Sequence, residues 1–348
     1  MTENLFERAA AGEVRVDYTA IERTLADMWR ADSAGDQHTV TRAALWNVIA
    51  HTATRAHHTD ASETLSKAAA AVPQRTIIVR ADPQGAGELT SWISANCHLG
   101  GEGQRVCSEE IAIVAGGERV SRVPPLVSSL LIPDMPVAFW WVGDLPHENA
   151  EYVQTLLDPA DRIIVDSVHF DDPADLGIVQ RVAGQTSTAP ADLNWIRLEE
   201  WRTATASVFD PPEMRDKLRH LRRVKIVANV ENASYFGERV QALYFASWLM
   251  VQSETELEVT FDLRESSQRG LIRVELQLDE SKATIERNPD RCVLSTNIDG
   301  RISVPDAVTR WQSKKVDELI VRVLKQPGAD QLLPKVLPMT LQLAEQVK

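Results

Sequence analysis

The 348-residue chain carries 37 Lys and Arg against 50 Asp and Glu, a formal net charge of −13 with histidines neutral, which excludes nucleic acid as a main partner because phosphate binding needs a concentrated basic face. Hydrophobic residues make up 44% and charged residues 25%, the balance of an ordinary soluble globular protein, and no apolar run approaches the ~20 residues that span a bilayer. With no secretory signal at the N-terminus, a cytoplasmic protein is expected, and the length predicts two domains, drawn at residues 1–184 and 185–348.

Residues 1–14 are polar. Residues 18–30 place Ile21, Leu25, Met28 and Trp29 at helical spacing, which predicts an amphipathic helix. Residues 39–52, with Val40, Leu45, Trp46, Val48 and Ile49, read as a strand, although a helix fits almost as well. Asp60 as N-cap and Glu63 three residues on form a capping box for a helix over 61–71, which Pro73 stops. RTIIVR at 75–80 reads as a buried strand. Strand, helix, strand is the signature of a right-handed crossover and a parallel pair.

Residues 89–99 and 105–114 are two further strand candidates, joined by Gly100, Gly101, Glu102 and Gly103. The glycines read as a hairpin turn. A phosphate cradle is the competing idea, but it wants a helix after the glycines, and here a strand follows. Cys97 and Cys107 would lie near each other in such a hairpin, a possible redox contact; in a reducing cytosol the plainer reading of Cys97, Cys107 and Cys292 is three free thiols. Cys97, His98 and Cys107 supply too few ligands for a convincing metal site.

A helix over 121–131 takes Pro124 and Pro125 in its first turn. The stretch LLIPDMPVAFWWVGD at 130–144 then changes character. Pro133 and Pro136 end the helical pattern, and residues 137–142 are apolar on both alternations, as suits a strand covered on both faces. Trp140 and Trp141 point to opposite faces of it, where core packing is the default role. A helix over 148–157, the strand RIIVDS at 162–167 and a short helix over 175–183 follow.

LNWIRLEEWRTATASVFD at 193–210 spaces Trp195, Leu198, Trp201 and Arg202 by three and four residues, with Arg197 nearby, on one helical face. One account is a core helix whose arginines cover aromatics; the other is an aromatic and arginine anchor for another protein. Arg215, Lys217, Arg219, His220, Arg222 and Arg223 form the one basic cluster, read as a helix able to meet a phosphate or an acidic partner, though a solvated face is commoner. A strand over 224–230, a long apolar helix over 235–251 and an antiparallel meander over 257–263, 270–278, 283–287 and 293–297 come next. A helical stretch from 317 is broken by Pro327, Gly328, Pro334 and Pro338. The fold class expected is α/β, with a mixed, largely parallel sheet and flanking helices in the N-terminal part and an α+β part with an antiparallel meander after it.

The chain holds no GxGxxG after a strand, no GxxxxGK[ST], no GxSxG and no HExxH, so no catalytic, cofactor-binding or metal-ligating residue is assigned. Among the histidines His147 lies beside Pro146. Glu109 and Glu110 follow Cys107 on a strand, so one faces inward or lines a cleft; a salt-bridged or solvent-facing carboxylate is commoner there than a catalytic acid.

The tryptophan-bearing stretches at 130–144 and 193–210, in that order, with the cysteine-bearing strand at 106–113, resemble the OpcA family, described as the glucose-6-phosphate dehydrogenase assembly protein or subunit. The resemblance runs from about residue 40 to the C-terminal helix. It implies a protein without chemistry of its own or any cofactor, which binds glucose-6-phosphate dehydrogenase, promotes its active oligomer and raises its activity in the oxidative pentose phosphate pathway. It also implies thioredoxin-linked cysteines in photosynthetic members, a role the match does not carry onto Cys97, Cys107 or Cys292. The partner contacts expected are Trp195, Arg197, Trp201 and Arg202, with Arg215, Arg219 and Arg222 as a second surface. The competing reading is a sugar-phosphate-binding enzyme or metabolite sensor whose pocket uses Arg105, Glu109 and the glycine turn.

Overall fold

The computed structural model describes residues 5–33, 40–99, 105–143, 151–185, 188–279, 281–299 and 307–346. The glycine turn at 100–103 and His147 lie outside the described residues. By internal contacts the chain divides into two units. The first comprises Met1–Val165, Ser187–Ala189 and Lys315–Gly328, and the second Asp166–Thr186, Pro190–Lys314 and Ala329–Lys348.

The first unit opens with α1 (Leu5–Ala11), β1 (Val14–Val16) and α2 (Ile21–Ser33), whose Ile21, Leu25 and Met28 are buried as their spacing predicts. Residues 39–52 divide into β2 (Val40–Arg42) and β3 (Trp46–Thr52). The next helix, α3 (Arg55–Ala69), starts earlier than Asp60 would place it. Thr54, extended at φ −119°, accepts the amide of His57 at 3.1 Å and so caps a turn that the capping-box pattern at Asp60 does not reveal. β4 (Gln74–Asp82), β5 (Leu89–Leu99), β6 (Arg105–Gly116), α4 (Val123–Leu130), β7 (Val137–Val142), α5 (Glu151–Leu157) and β8 (Arg162–Val165) follow; α6 (Pro173–Gln185) and β9 (Ala189–Asp192) come next in the chain, α6 and all of β9 but Ala189 being counted in the second unit. The resulting nine-stranded sheet has the order β1-β5-β6-β4-β3-β7-β8-β9, with β2 on β6. β3 pairs in parallel with β4 and β7, and β4 with β6. β5 and β6 form the expected antiparallel hairpin. All six residues of β7 are buried, as an apolar run on both alternations requires.

The Pro-rich entry to β7 is held by one side chain. Asn47, fully buried, accepts the amide of Ile132 at 2.9 Å and donates to the carbonyls of Ile132 and Met135 at 3.0 and 3.4 Å. These bonds satisfy backbone groups that the turn between Pro133 and Pro136 leaves without a ladder partner. Asp134 sits there at φ +62°, in the left-handed region.

In the second unit, residues 193–210 are not one helix. They form α7 (Leu193–Ile196) and α8 (Glu199–Ser207), and Leu198 at the junction bonds three residues back, to Trp195, in a tightened turn. The basic cluster is likewise no helix of its own. It runs from α9 (Pro212–Arg215) through a 3-10 turn over Asp216–His220 into β10 (Leu221–Val230), because Leu221, Val224 and Ile226 commit the chain to the sheet. α10 (Phe236–Ser253) is buried over most of its surface and is the crossover to β11 (Glu258–Glu265), which therefore pairs with β10 in parallel and stands outside the expected meander. β12 (Gly270–Leu278), β13 (Ser281–Asn288), β14 (Val293–Asp299) and β15 (Ala307–Arg310) are that meander, in a six-stranded sheet ordered β11-β10-β12-β13-β14-β15. α8 lies against β13, β14 and β15.

α11 (Val316–Lys325) belongs to the first unit and packs on α3. Arg162, stacked 5.4 Å from the Trp46 ring, donates to the carbonyls of Val323, Gln326 and Gly328 and so closes the C-terminal end of α11. α12 (Leu333–Gln346) packs on α10 and α6. Neither Pro334 nor Pro338 breaks it: Pro334 occupies its first turn, and Pro338 forgoes a single backbone bond while Val336, Leu337, Thr340 and Leu343 bury around it. Among the described residues no helix is long and apolar enough to cross a membrane.

Asn47→Leu should destabilise the first unit by about 2–3 kcal/mol, read as a lowered denaturant midpoint with the slope unchanged, because it strands the Ile132 amide while conserving volume.

Candidate functional site

Open parallel sheets place ligands at the C-terminal ends of strands where neighbouring connections diverge. Here the chain leaves β3 for β4 on one side, and β7 lies on the other, so the ends of β3 and β7 are that point. Both carry aromatic groups. His51 stacks on Trp141 at 4.5 Å between ring centroids and sets its Nε2 3.1 Å from the Tyr152 hydroxyl. His57 fills the space above Gly143, whose φ of +84° and lack of a Cβ allow its ring to approach. The turn from β3 into α3, Thr52-Ala53-Thr54, holds no glycine. Burial drives the His51 pKa down to about 4, so the ring is neutral near neutrality.

In the second unit, α7 and α8 carry a buried polar network. Asp192, fully buried, accepts from the amides of Ser167 and Asn194 at 3.2 and 2.8 Å and from the Tyr244 hydroxyl at 2.7 Å. Burial, reinforced by the neighbouring charge of Asp166, raises its pKa to about 6. Arg197 forks onto Asp166 at 2.6 and 2.7 Å. Burial works against its charge, but Asp166 and Asp192 more than offset this and leave its pKa above the ordinary value. Arg202 lies 3.6 Å from the centre of the Trp195 ring and donates to the Trp195 carbonyl at 2.7 Å; burial lowers its pKa to about 10. The Trp195 indole donates to Asp330 at 2.8 Å, and Trp201 meets Phe245 edge to face.

Trp195 and Trp201 are 1% and 2% exposed. The structure thus places both indoles in the core, with Arg197 and Arg202 holding them, and brings these four residues together. Arg215, Arg219 and Arg222 stand apart from this group. Arg215 and Arg222 reach backbone carbonyls of Asp210 and of Arg219 and Leu221, and among the described residues none of the three has a carboxylate partner. Arg223, by contrast, pairs with Glu258 at 2.7 Å.

Cys97 and Cys107 face each other in the register of β5 and β6 and are joined as a disulfide, which corrects the reading of three free thiols; Cys292 is free and exposed. His98 is engaged with the Ser66 carbonyl at 3.0 Å, and no group of three metal-ligating side chains occurs among the described residues. Glu109 and Glu110 project to opposite faces of β6. Glu109 is held by Arg75 and Arg42 at 2.7–2.8 Å and by the Trp29 indole, so it is a buried ion-pair partner. Glu110 accepts from Ser62 at 2.7 Å, and burial raises its pKa. The pocket built on Arg105, Glu109 and the glycine turn therefore loses Glu109, while the turn and the Arg105 side chain lie outside the described residues.

Residues 65–181 match the family model described as the glucose-6-phosphate dehydrogenase subunit N-terminal domain, and residues 188–337 match the model of its C-terminal domain. The chain belongs to the OpcA family. OpcA proteins of Synechocystis sp. and Synechococcus elongatus are 33% identical over 172 residues and 31% over 180, covering 48% and 51% of this chain. The matches take in only 34% and 39% of those relatives' lengths. Among solved structures, an NAD binding oxidoreductase from Klebsiella pneumoniae superposes with a TM-score of 0.48 at 11% identity, over 87% of this chain and 96% of that one, a likeness too distant to carry any chemistry. The OpcA stretches at 130–144 and 193–210 are thus an Asn47-clamped turn with its strand and an inward-facing polar network.

The raised pKa of Asp192 fixes a sign. Between about pH 4 and pH 6 the folded state holds a proton the unfolded state has released, so this residue's contribution falls as pH rises through that window. Asp192→Asn, uncharged and of the same shape, keeps an acceptor for the two amides and turns its NH2 to donate to the Tyr244 hydroxyl; it should gain stability relative to the parent on passing from pH 4 to pH 7, by about 3 kcal/mol at most, and chemical unfolding at the two pH values measures it.

Proposed function

We propose that this chain is a non-catalytic cytoplasmic partner of glucose-6-phosphate dehydrogenase, one that binds the enzyme, favours its active oligomer and so activates it. Family membership across both units carries the reading. The aromatic filling at the ends of β3 and β7 supports it, since the position where such sheets receive a ligand is occupied by His51, His57, Trp141 and Tyr152. A partner that prefers one quaternary state shifts the population by no more than its difference in affinity, and a factor of 100 asks for only ~2.7 kcal/mol.

The surface we assign to the contact is the cationic edge of Arg215, Arg219 and Arg222. They are exposed arginines with no carboxylate partner among the described residues, in a chain of net charge −13, and suit an acidic patch on the enzyme. Trp195, Trp201, Arg197 and Arg202 lie apart from this surface and hold α7 and α8 in place.

Mixing the full chain with the dehydrogenase, measuring the mass of the complex and the enzyme's rate, tests the proposal. Both should rise. Reversing charge at Arg215, Arg219 and Arg222 together should weaken association about tenfold or more and flatten its salt dependence, with the fold intact. An unchanged oligomer and rate, or turnover of a metabolite by the chain alone, would defeat the reading.

A further inference from the structure

A cavity of about 250 Å³ opens in the second unit between β12, β13, α10 and the extended segment after β15. Four cations line it, Arg197, Arg269, Arg287 and Lys314. Three of the four are already matched: Arg197 by Asp166, Lys314 by Glu200, and Arg269 by Glu231 and Glu238. Arg287 is not. Its guanidinium donates to the Arg269 carbonyl at 3.2 Å and stacks 4.9 Å from the centre of the Trp311 ring, and the described residues offer it no carboxylate. Burial alone draws its pKa below the usual guanidinium value, the mark of a charge partly removed from water without a counter-charge.

The floor beside Arg287 is kept open by a glycine. Gly270 adopts φ +102°, and a Cβ there would stand 3.4 Å from the Gln241 Oε1 and 3.8 Å from the Arg287 Nη1, so the two groups flank the same small space. The Gln241 amide makes no side-chain hydrogen bond among the described residues, although it is half-buried. Gln312 and Ser313, which follow Trp311 in the chain, add to the polar lining.

We propose that this cavity binds a small phosphorylated sugar, with the phosphate on Arg287 and the hydroxyls on Gln241, Gln312 and Ser313. A guanidinium pinned against an indole presents a fixed fork, the geometry that suits a phosphate better than a point charge does. The amides and hydroxyl both donate and accept, as sugar hydroxyls require. The volume is at the small end of ligand pockets, which suits a monosaccharide phosphate. This site is distinct from the arginine edge assigned to the partner enzyme, and its occupancy is measured without that enzyme, so failure here leaves the assembly reading standing.

Calorimetric titration of the full chain with glucose 6-phosphate, inorganic phosphate and glucose is the test. Saturable binding of glucose 6-phosphate is expected, weaker binding of inorganic phosphate and none of glucose. Arg287→Gln should lower the glucose 6-phosphate affinity about tenfold or more. Gln241→Leu should lower it while leaving inorganic phosphate unaffected, and it decides the matter if the arginine variant fails to fold. No saturable heat at millimolar ligand, unchanged affinity in either folded variant, or inorganic phosphate binding as tightly as the ester would overturn the proposal.

Discussion

Burying Asp192 is the constraint from which the second unit takes its order. A carboxylate with no access to water must find donors on every side, and the chain supplies two amides and the Tyr244 hydroxyl. Supplying them pins the turn after β8, the start of α7 and the middle of α10 to one point. The negative charge gathered by Asp166 and Asp192 then calls for Arg197, and the bidentate pair fixes the junction between α7 and α8. Asp330 and Arg202 extend the network outward, the one accepting from the Trp195 indole and the other donating to the Trp195 carbonyl.

The first unit rests on shape and backbone satisfaction instead. Its central strands are apolar on both faces, and the chain must enter β7 through a turn with two prolines. Asn47, on the neighbouring strand, supplies the missing partners. That explains why Pro133 and Pro136 can sit beside a buried strand without leaving stranded carbonyls. Arg75 shows the same economy: in addition to its pairing with Glu109, it donates to the Leu130 carbonyl at the end of α4.

What the amino-acid pattern revealed is what local forces decide. The bounds of β7, the facing of Cys97 and Cys107, and the parallel pairing of β3 with β4 all follow from apolar alternation, proline placement and crossover geometry. What it concealed depends on distant partners. Periodicity over 193–210 is helical throughout, yet the tightened turn at Leu198 splits it while Arg197 reaches for Asp166, a residue far back in the chain. β11 alternates like a meander strand, but a long helix precedes it and forces parallel pairing. Nothing in a sequence shows that Thr54 outcompetes Asp60 as a cap, or that the tryptophans between 195 and 201 turn inward. The cavity around Arg287 was equally hidden, since its walls come from six separate stretches.

The return of the chain to its first unit at α11 bears on synthesis. α11 covers α3, and Arg162 closes its end, yet it is translated only after every strand of the second sheet has been synthesised. The nascent first unit must therefore wait, with the side of α3 that meets α11 bare, until residues 316–325 are made. A ribosome stalled before residue 316 would leave that surface open to chaperones and to misassociation, making late translation the vulnerable interval for this fold.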